Sequence, residues 1–461
     1  MKLESPPPSP IIAEGRPRLR RLRSRLAGLA FWAVVVALLS WNGWRLYRDF
    51  RPLPDLRTIS SWLYPARTGK AQVDDAMKVA PERLDEAEWA LRERLRRSPH
   101  DGEARMLLAR VCDARNDLLA CARELAKVPD WWPTKSEALY FEGKAYLRLG
   151  RAREAEAAWS ACISPEPARS LPDWIFDEVA NALLEIYAYE ERWEEARALI
   201  WRYYDISPAE DHPTILIMRL RTELERVAYD QAEARLRRYA AADPTDFDAR
   251  LALARAAEAN GEHEEASGQV AACLAAWPAD PRVWVVDLEI LDKQGDSSGL
   301  AAAAAAAPTS PDAWRYRGRA RVETPALTAA DDHYLAEISK FRGLVRERSG
   351  DWPAAAAEYR KAIHLVPSQE EYHYRLSRVE VALGRADAAG EELARYRTLH
   401  QARTDLVDAY SDYLDAYKGR PGARDLGAAI DRLTALSRTL GWTRESLAWA
   451  RLMPPKPADG F

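Results

Sequence analysis

A small residue returns along this chain at a spacing close to 34 residues, and this spacing restricts the fold more than any other feature of the sequence. Measured from one such residue to the next, the steps are 34, 34, 41, 36, 34, 34, 55 and 34 residues. A period of this length predicts stacked copies of one supersecondary unit. We call these the reference positions, and eight of the nine hold a small residue: Ala87, Cys121, Ala155, Ala196, Ala232, Ala266, Leu300, Ala355 and Ala389.

Three further positions keep a fixed distance from the reference position. An apolar residue follows it by four residues in every unit, for example Trp159 and Tyr359. A proline follows it by twelve residues in six units, and a small residue precedes it by twelve in five. In a unit of two antiparallel helices, small residues permit close backbone approach, the large residue fills the groove, and proline ends the second helix.

This order of small, large and proline residues resembles the tetratricopeptide repeat (TPR) family, and in particular its N-terminally membrane-anchored bacterial members. The resemblance implies an all-α fold, a right-handed superhelix or α-solenoid of helix-turn-helix repeats, preceded by one transmembrane helix. Glycines stand between the two helices of five units, where a residue with positive φ is useful. They are Gly150, Gly261, Gly295, Gly350 and Gly384.

Two steps of the repeat are too long. The 41-residue step predicts an extra loop at 164–173, and the 55-residue step adds residues near 308–333. Leu300 precedes seven alanines, which propagate a helix but fill little space. We therefore expect a bend or loose joint near 300–330, and capping helices after the last repeat.

The N-terminal region has the pattern of a membrane anchor. Six arginines between Arg16 and Arg25 precede 19 uncharged residues, 26–44, which as a helix reach about 28 Å and just span a bilayer core. The predicted membrane-interface residues are Arg23, Arg25, Trp41, Trp44 and Tyr47. A cleaved signal peptide is the alternative, but Ser, Trp, Asn, Gly and Trp at 40–44 make a poor cleavage site.

Arginine distribution predicts the orientation of this anchor. The cluster before the span favours a cytoplasmic N-terminus and a TPR array on the exported, periplasmic side of the inner (cell) membrane. Arg45, Arg48, Arg51 and Arg57 follow the span and keep a cytoplasm-facing array open. A bacterial source is favoured by 56 Arg against 11 Lys, together with abundant Ala and Trp.

The predicted organisation has six segments. They are a disordered basic cytoplasmic tail (1–25), a transmembrane helix (26–47), a tether with one short helix (48–80), a TPR array of about nine units (81–400), C-terminal capping helices (401–452) and a disordered tail (453–461).

Charge and motifs exclude several function classes. The net charge of −4 divides into +9 over residues 1–70 and −13 over the rest, and an acidic body argues against nucleic-acid binding. Phosphate-binding, dinucleotide-binding and nucleophile-elbow motifs are absent, and no H-E-x-x-H occurs. The sequence thus predicts no enzyme, no cofactor and no metal. Its four cysteines suit small buried positions, with a Cys112–Cys121 disulfide as the alternative.

In the TPR family, first-helix side chains line a concave groove. Five of the eight residues eleven positions before the reference position are basic, which favours a protein or peptide partner with acidic groups. The alternative is that these cations pair with neighbours such as Glu103, Asp113 and Glu258. The resemblance assigns the partner-binding groove to Arg110, Tyr140, Lys144, Asn181, Arg221, Arg255, Tyr374 and Arg378.

Together these features predict a membrane-anchored TPR scaffold that binds a protein or peptide in its groove and contacts the bilayer through residues 26–47. The expected roles are assembly, secretion or complex formation at the bacterial envelope. A cytoplasm-facing docking or import receptor, or a non-catalytic regulatory subunit of an enzyme complex, is the alternative.

Overall fold

The computed structural model describes most of the chain after residue 52. The described segments are 53–63, 81–163, 173–224, 229–309, 325–420 and 425–453. Every regular element in them is an α-helix. The chain divides into two compact units, Met1–Ala114 and Arg115–Phe461.

The first unit contains three described helices. They are α1 (Leu56–Leu63), α2 (Pro81–Arg97) and α3 (Gly102–Ala114). Helix α1 falls in the segment predicted as a tether, and its Ile59 and Leu63 are fully buried in a core with Leu91 and Leu108. This part of the tether is therefore the predicted short helix, packed onto α2 and α3.

The second unit is a succession of helices. They are α4 (Leu118–Ala126), α5 (Lys135–Arg148), α6 (Ala152–Cys162), α7 (Asp173–Tyr189), α8 (Trp193–Ile206), α9 (His212–Leu224), α10 (Tyr229–Ala242), α11 (Phe247–Ala259), α12 (His263–Ala276), α13 (Pro281–Gln294), α14 (Ser297–Ala306), α15 (Pro325–Arg348), α16 (Trp352–Leu365), α17 (Glu370–Ala382), α18 (Ala386–Tyr417), α19 (Leu426–Thr439) and α20 (Thr443–Arg451).

The reference positions lie where the helices of a unit meet. All nine are buried, and none is more than 6% exposed. Gly143 and Gly343, each twelve residues before a reference position, face the rings of Trp159 and Tyr359; a Cβ on Gly343 would lie 2.6 Å from the Tyr359 ring. The predicted small-to-large contact is therefore present in both units, and it holds the backbones close.

The turns inside the units adopt the expected left-handed conformation. All five predicted turn glycines have positive φ, for example 79° at Gly150 and 73° at Gly384. Asn116 and Glu191 take the same conformation in two other units, with φ of 60° and 55°. Asparagine tolerates this conformation better than glutamate because its short polar side chain can hydrogen-bond to the local backbone.

The alanine-rich helix α14 is held at both ends by polar side chains. The Asp296 carboxylate accepts a hydrogen bond from the Gly299 amide at 2.9 Å. At the other end, Arg342 of α15 donates to the carbonyls of Ala304 and Ala307 at 2.9 and 2.6 Å. Residues 310–324, where the loose joint is predicted, lie outside the described segments.

One unit of the array is divided between two cores. Leu236 and Tyr239 of α10 pack in a core with α5 to α8 and α11. Leu216 and Leu220 of α9, which should pair with α10, instead share a core with α18, α19 and α20. Leu220 occupies a position where most units have a small residue, although Leu184 and Leu288 occupy the same position in two other units.

The C-terminal helices differ from the predicted separate cap. Helix α18 runs without interruption from Ala386 to Tyr417, across the expected boundary at 400. Along this helix Tyr410 and Tyr413 are buried, whereas Tyr417 is 45% exposed. The described end of the chain therefore packs back onto α8 and α9, and the last repeat and the cap are one continuous element.

Within the described segments, no helix is both long enough and apolar enough to cross a bilayer. The predicted span at 26–47, the tail before it and most of the tether lie outside those segments, as does the loop at 164–172. The same holds for the predicted interface residues Arg23, Arg25, Trp41, Trp44 and Tyr47.

The Gly143–Trp159 contact predicts how the array responds to one added carbon. In Gly143→Ala the new Cβ overlaps the indole, which is fixed because its Nε1 donates to the Tyr140 carbonyl at 3.0 Å. We expect a loss of about 1–3 kcal/mol in the free energy of unfolding, measured with urea. Gly268→Ala on α12 meets no atom within 4 Å and should gain about 0.5–1 kcal/mol. Equal stability of the two variants would contradict the packing.

Candidate partner-binding surface

The predicted groove residues all lie on first helices of their units. Arg110 lies on α3, in the compact part Met1–Ala114. The others lie in the compact part Arg115–Phe461: Tyr140 and Lys144 on α5, Asn181 on α7, Arg221 on α9, Arg255 on α11, and Tyr374 and Arg378 on α17. The structure brings some of them together and gives others partners within the chain.

Three of these residues are placed near one another on α5 and α7. The Tyr140 hydroxyl donates to the Glu178 carboxylate of α7 and accepts from Lys144 Nζ at 3.0 Å. Lys144 Nζ also lies 3.9 Å from Glu178, and both side chains are more than half exposed. Asn181, exposed, follows Glu178 by one helical turn. Burial and the Glu178 carboxylate raise the pKa of Tyr140, so this hydroxyl keeps its proton.

Two exposed aromatic side chains adjoin Tyr140. The Trp174 ring of α7 stands nearly perpendicular to the Tyr140 ring, at 87° with centroids 5.5 Å apart. The Phe141 ring lies 4.9 Å from Tyr140 on its other side. Trp174 is 50% exposed and Phe141 is 41% exposed. We call this group, with its polar border of Lys144, Glu178 and Asn181, the aromatic surface.

Sequence reasoning missed Phe141 and Trp174. Large aromatic residues are also typical of the core, and Trp159 and Trp449 are fully buried. The available signal was position: Trp174 is the second residue of α7, a first helix, and Phe141 is adjacent to a predicted groove residue.

Arg255 is committed to the chain's own carboxylates. Its guanidinium lies 3.1 Å from Glu289 and 3.0 Å from Glu191, and the side chain is 19% exposed. Burial opposes its charge, but the two carboxylates outweigh burial and raise the pKa of Arg255. Tyr334 of α15 lies close enough to contribute to the same shift. Arg255 therefore joins α11 to its neighbours.

The remaining cations vary in exposure. Arg110 pairs with Asp113 at 2.7 Å, one of the pairings considered from the sequence. Arg378 is 56% exposed and lies 3.3 Å from Glu347, and Arg221 is exposed near the end of α9. Glu258, by contrast, bonds His263 and Gln294 rather than an arginine. Most of the basic residues predicted to line the groove are thus paired with carboxylates of the same chain in the described segments.

Tyr374 belongs to a second exposed aromatic group, on α17 and α18. It is 41% exposed, and its ring lies 5.2 Å from Tyr396, which in turn stacks on His400 at 5.4 Å. The carboxylate of Glu370 lies 3.2 Å from His400. This group is flatter and more polar than the aromatic surface.

The described segments contain no exposed cysteine and no cluster of candidate metal ligands. All four cysteines are buried and none of them forms a disulfide, so the alternative Cys112–Cys121 disulfide is absent from the structure. Burial raises the pKa of Cys273 to about 12, which keeps that thiol protonated and unreactive. No group of three or more His, Cys, Asp or Glu side chains in these segments is arranged to hold a metal ion.

Residues 223–286 and residues 342–404 match two family models that are both described as tetratricopeptide repeat. The chain therefore carries tetratricopeptide repeats, as the 34-residue spacing predicted. Repeats of this kind imply a scaffold for protein interaction. No curated protein sequence matches the chain.

Several solved structures are similar in fold. PilF of Pseudomonas aeruginosa has 15% identity and a TM-score of 0.30, over 52% of this chain and 90% of its own. MamA from Desulfovibrio magneticus RS-1 has 16% identity and a TM-score of 0.29, over 41% and 96%. A human IFIT1 dimer with m7Gppp-AAAA has 14% identity and a TM-score of 0.32, over 86% and 100%. These scores are too low to carry any partner over to this chain.

The ion pairs of Arg255 and Arg378 predict that removing these two side chains lowers the free energy of unfolding by different amounts. Arg255→Ala leaves Glu191 and Glu289 without their shared, largely buried cation. We expect it to lower the free energy of unfolding by about 1.5–3 kcal/mol. Arg378→Ala removes an exposed guanidinium and should cost less than about 1 kcal/mol. Urea unfolding of both variants measures this. If the costs are equal, Arg255 is not a structural cation and is available to a ligand.

Proposed function

We propose that this protein is a membrane-anchored TPR scaffold that captures a protein partner on the aromatic surface. One observation carries the proposal: the large rings of Phe141 and Trp174 are 41% and 50% exposed beside Tyr140. Aromatic side chains on a rigid support bury large area at low entropic cost and are enriched where binding energy concentrates. The half-exposed Lys144 and Glu178 supply the polar rim of such a site.

The chemistry of the surface favours an apolar or aromatic side chain of the partner. Among the predicted cations, Arg110, Lys144, Arg255 and Arg378 all have acidic neighbours within the chain. An acidic ligand would have to displace these carboxylates. Selection therefore rests on the exposed parts of the Phe141 and Trp174 rings beside Tyr140, with hydrogen bonds from Lys144 setting orientation.

Anchoring and location are part of the proposal and rest on the sequence. The uncharged segment 26–44 with its flanking arginines supports one span, an N-terminus in the cytoplasm and an array on the periplasmic side of the inner membrane. A role in envelope assembly, secretion or complex formation fits that location. A cytoplasm-facing docking receptor remains the second candidate because Arg45, Arg48 and Arg51 follow the span.

The partner site predicts the effect of removing its two exposed rings. A photo-crosslinking residue at Asn181, exposed beside the surface, should capture one partner from native membranes. Adding Trp174→Ala and Phe141→Ala should lower this capture at least about tenfold, because one binding hot spot is worth roughly 2 kcal/mol. Val381→Ala, at a 67% exposed position on α17, is the matched control and should leave capture unchanged. Full capture by the double variant would refute the site.

The proposed topology predicts which side of the membrane exposes the array to protease. In intact spheroplasts, externally added protease should digest the array, and a cytoplasmic marker protein should survive. Protection of the array until the membrane is permeabilised would establish the cytoplasm-facing orientation instead.

A further inference from the structure

The C-terminal helices and the pair α8–α9 share one core although they are far apart in sequence. On α8 and α9 the buried face is formed by Ile200, Trp201, Tyr204, Ile215, Leu216 and Leu220. We call this the docking face. Opposite it lie buried residues of α18 from Leu399 onward, α19 and α20, among them Tyr413, Leu433 and Trp449. We call residues 399–453 the C-terminal module.

A buried cation stands at the centre of this contact. Arg219 of α9 is 1% exposed, and its Nε donates to Glu445 of α20 at 2.9 Å. Its Nη1 donates to Glu223 at 2.8 Å, and the guanidinium lies 5.5 Å from the Trp442 ring. Glu223 and Glu445 together neutralise this buried guanidinium, and loss of Glu445 would leave it one carboxylate, so the docking face favours an occupant with an acidic group at this point.

A second ion pair lies beside the first, and here the cation belongs to α20 and the anion to α8. Arg444 of α20 donates to both carboxylate oxygens of Asp205, at 2.6 and 2.7 Å. The same guanidinium lies 4.4 Å above the Trp201 ring. The docking face thus presents a cation at Arg219 and an anion at Asp205, and the adjacent residues Arg444 and Glu445 present the complement. This two-charge pattern specifies the C-terminal module as the occupant.

We propose that the docking face and the C-terminal module form an exchangeable interface, and that a second copy of this chain is the partner it fits. A second copy carries the same module with the same two charges, so reciprocal exchange rebuilds both contacts without any new surface. Within one molecule the module is at high effective concentration, which favours the closed form. Association then depends on opening of the intramolecular contact. This proposal is independent of the aromatic surface.

Two single charge reversals test the exchange by complementation. In the full-length chain, in one detergent buffer, Arg219→Glu opposes its own Glu445, and Glu445→Arg opposes its own Arg219. A mixture of the two variants can form a heterodimer in which both exchanged contacts join opposite charges. We expect the mixture to give a species of twice the 52.0 kDa chain mass by native mass spectrometry, and each variant alone to stay monomeric. The double variant Arg219→Glu/Glu445→Arg, closed within one chain, is the control and should be monomeric.

A second set of charge reversals is needed because substitutions at the buried Arg219–Glu445 pair can prevent folding. Asp205 and Arg444 are about half exposed, so Asp205→Arg and Arg444→Asp repeat the same complementation on a site that tolerates charge. Both sets are co-expressed as well as mixed, and circular dichroism checks the helix content of each variant. A twofold mass in either mixture supports the exchange. Monomers in both mixtures, or association of a single variant alone, overturn it.

Discussion

The stack of helices depends on close packing between the two helices of a unit, and in two units a glycine on the first helix meets a large ring on the second, at Gly143–Trp159 and Gly343–Tyr359. At Gly143 and Trp159 the contact is also polar, since the indole donates to the Tyr140 carbonyl at 3.0 Å. Because the ring is fixed to the backbone one turn from the glycine, the crossing of α5 and α6 has little freedom. That rigidity extends to Tyr140 itself, and so to the rings of Phe141 and Trp174 that rest on it. The glycine-to-ring contact of this repeat therefore orients the rings of the aromatic surface.

Charged side chains have a different role, which is to join neighbouring repeats of the array. Arg192, buried, lies 2.7 Å from Glu156 of α6 and 3.0 Å from Glu190. Asp248 of α11 lies 2.7 Å from Arg282 of α13. Each carboxylate used in this way is desolvated, as the raised pKa of Glu190 reflects, and its arginine cannot be removed without leaving a buried charge. Basic residues on first helices are thus a structural resource of this array.

The sequence predicted the local parts of this fold well, because they follow from spacing. The buried reference positions, the turn glycines and the grouping of Tyr140, Lys144 and Asn181 all derive from the repeat register. It did not predict the partner of Arg255, because Glu191 is 64 residues away and belongs to a turn with unusual φ. It also placed α9 with α10, whereas Arg219 pairs with Glu445, 226 residues later. Exposure of Trp174 was missed for a similar reason, since hydropathy cannot say which face of a helix stays uncovered.

A series of side-chain contacts joins the two surfaces proposed for this chain. Trp174 stands on α7, and Phe176 on the same helix packs against Tyr203 of α8 with ring centroids 4.9 Å apart. The Tyr203 hydroxyl also donates to Asp177 of α7. Helix α8 in turn carries Trp201, which lies under Arg444 of the C-terminal module. Movement of the module away from α8 would release one side of that helix while α7 holds the other. The contacts of Tyr203 with Phe176 and Asp177 thus join α8 to the first turn of α7, which carries Trp174.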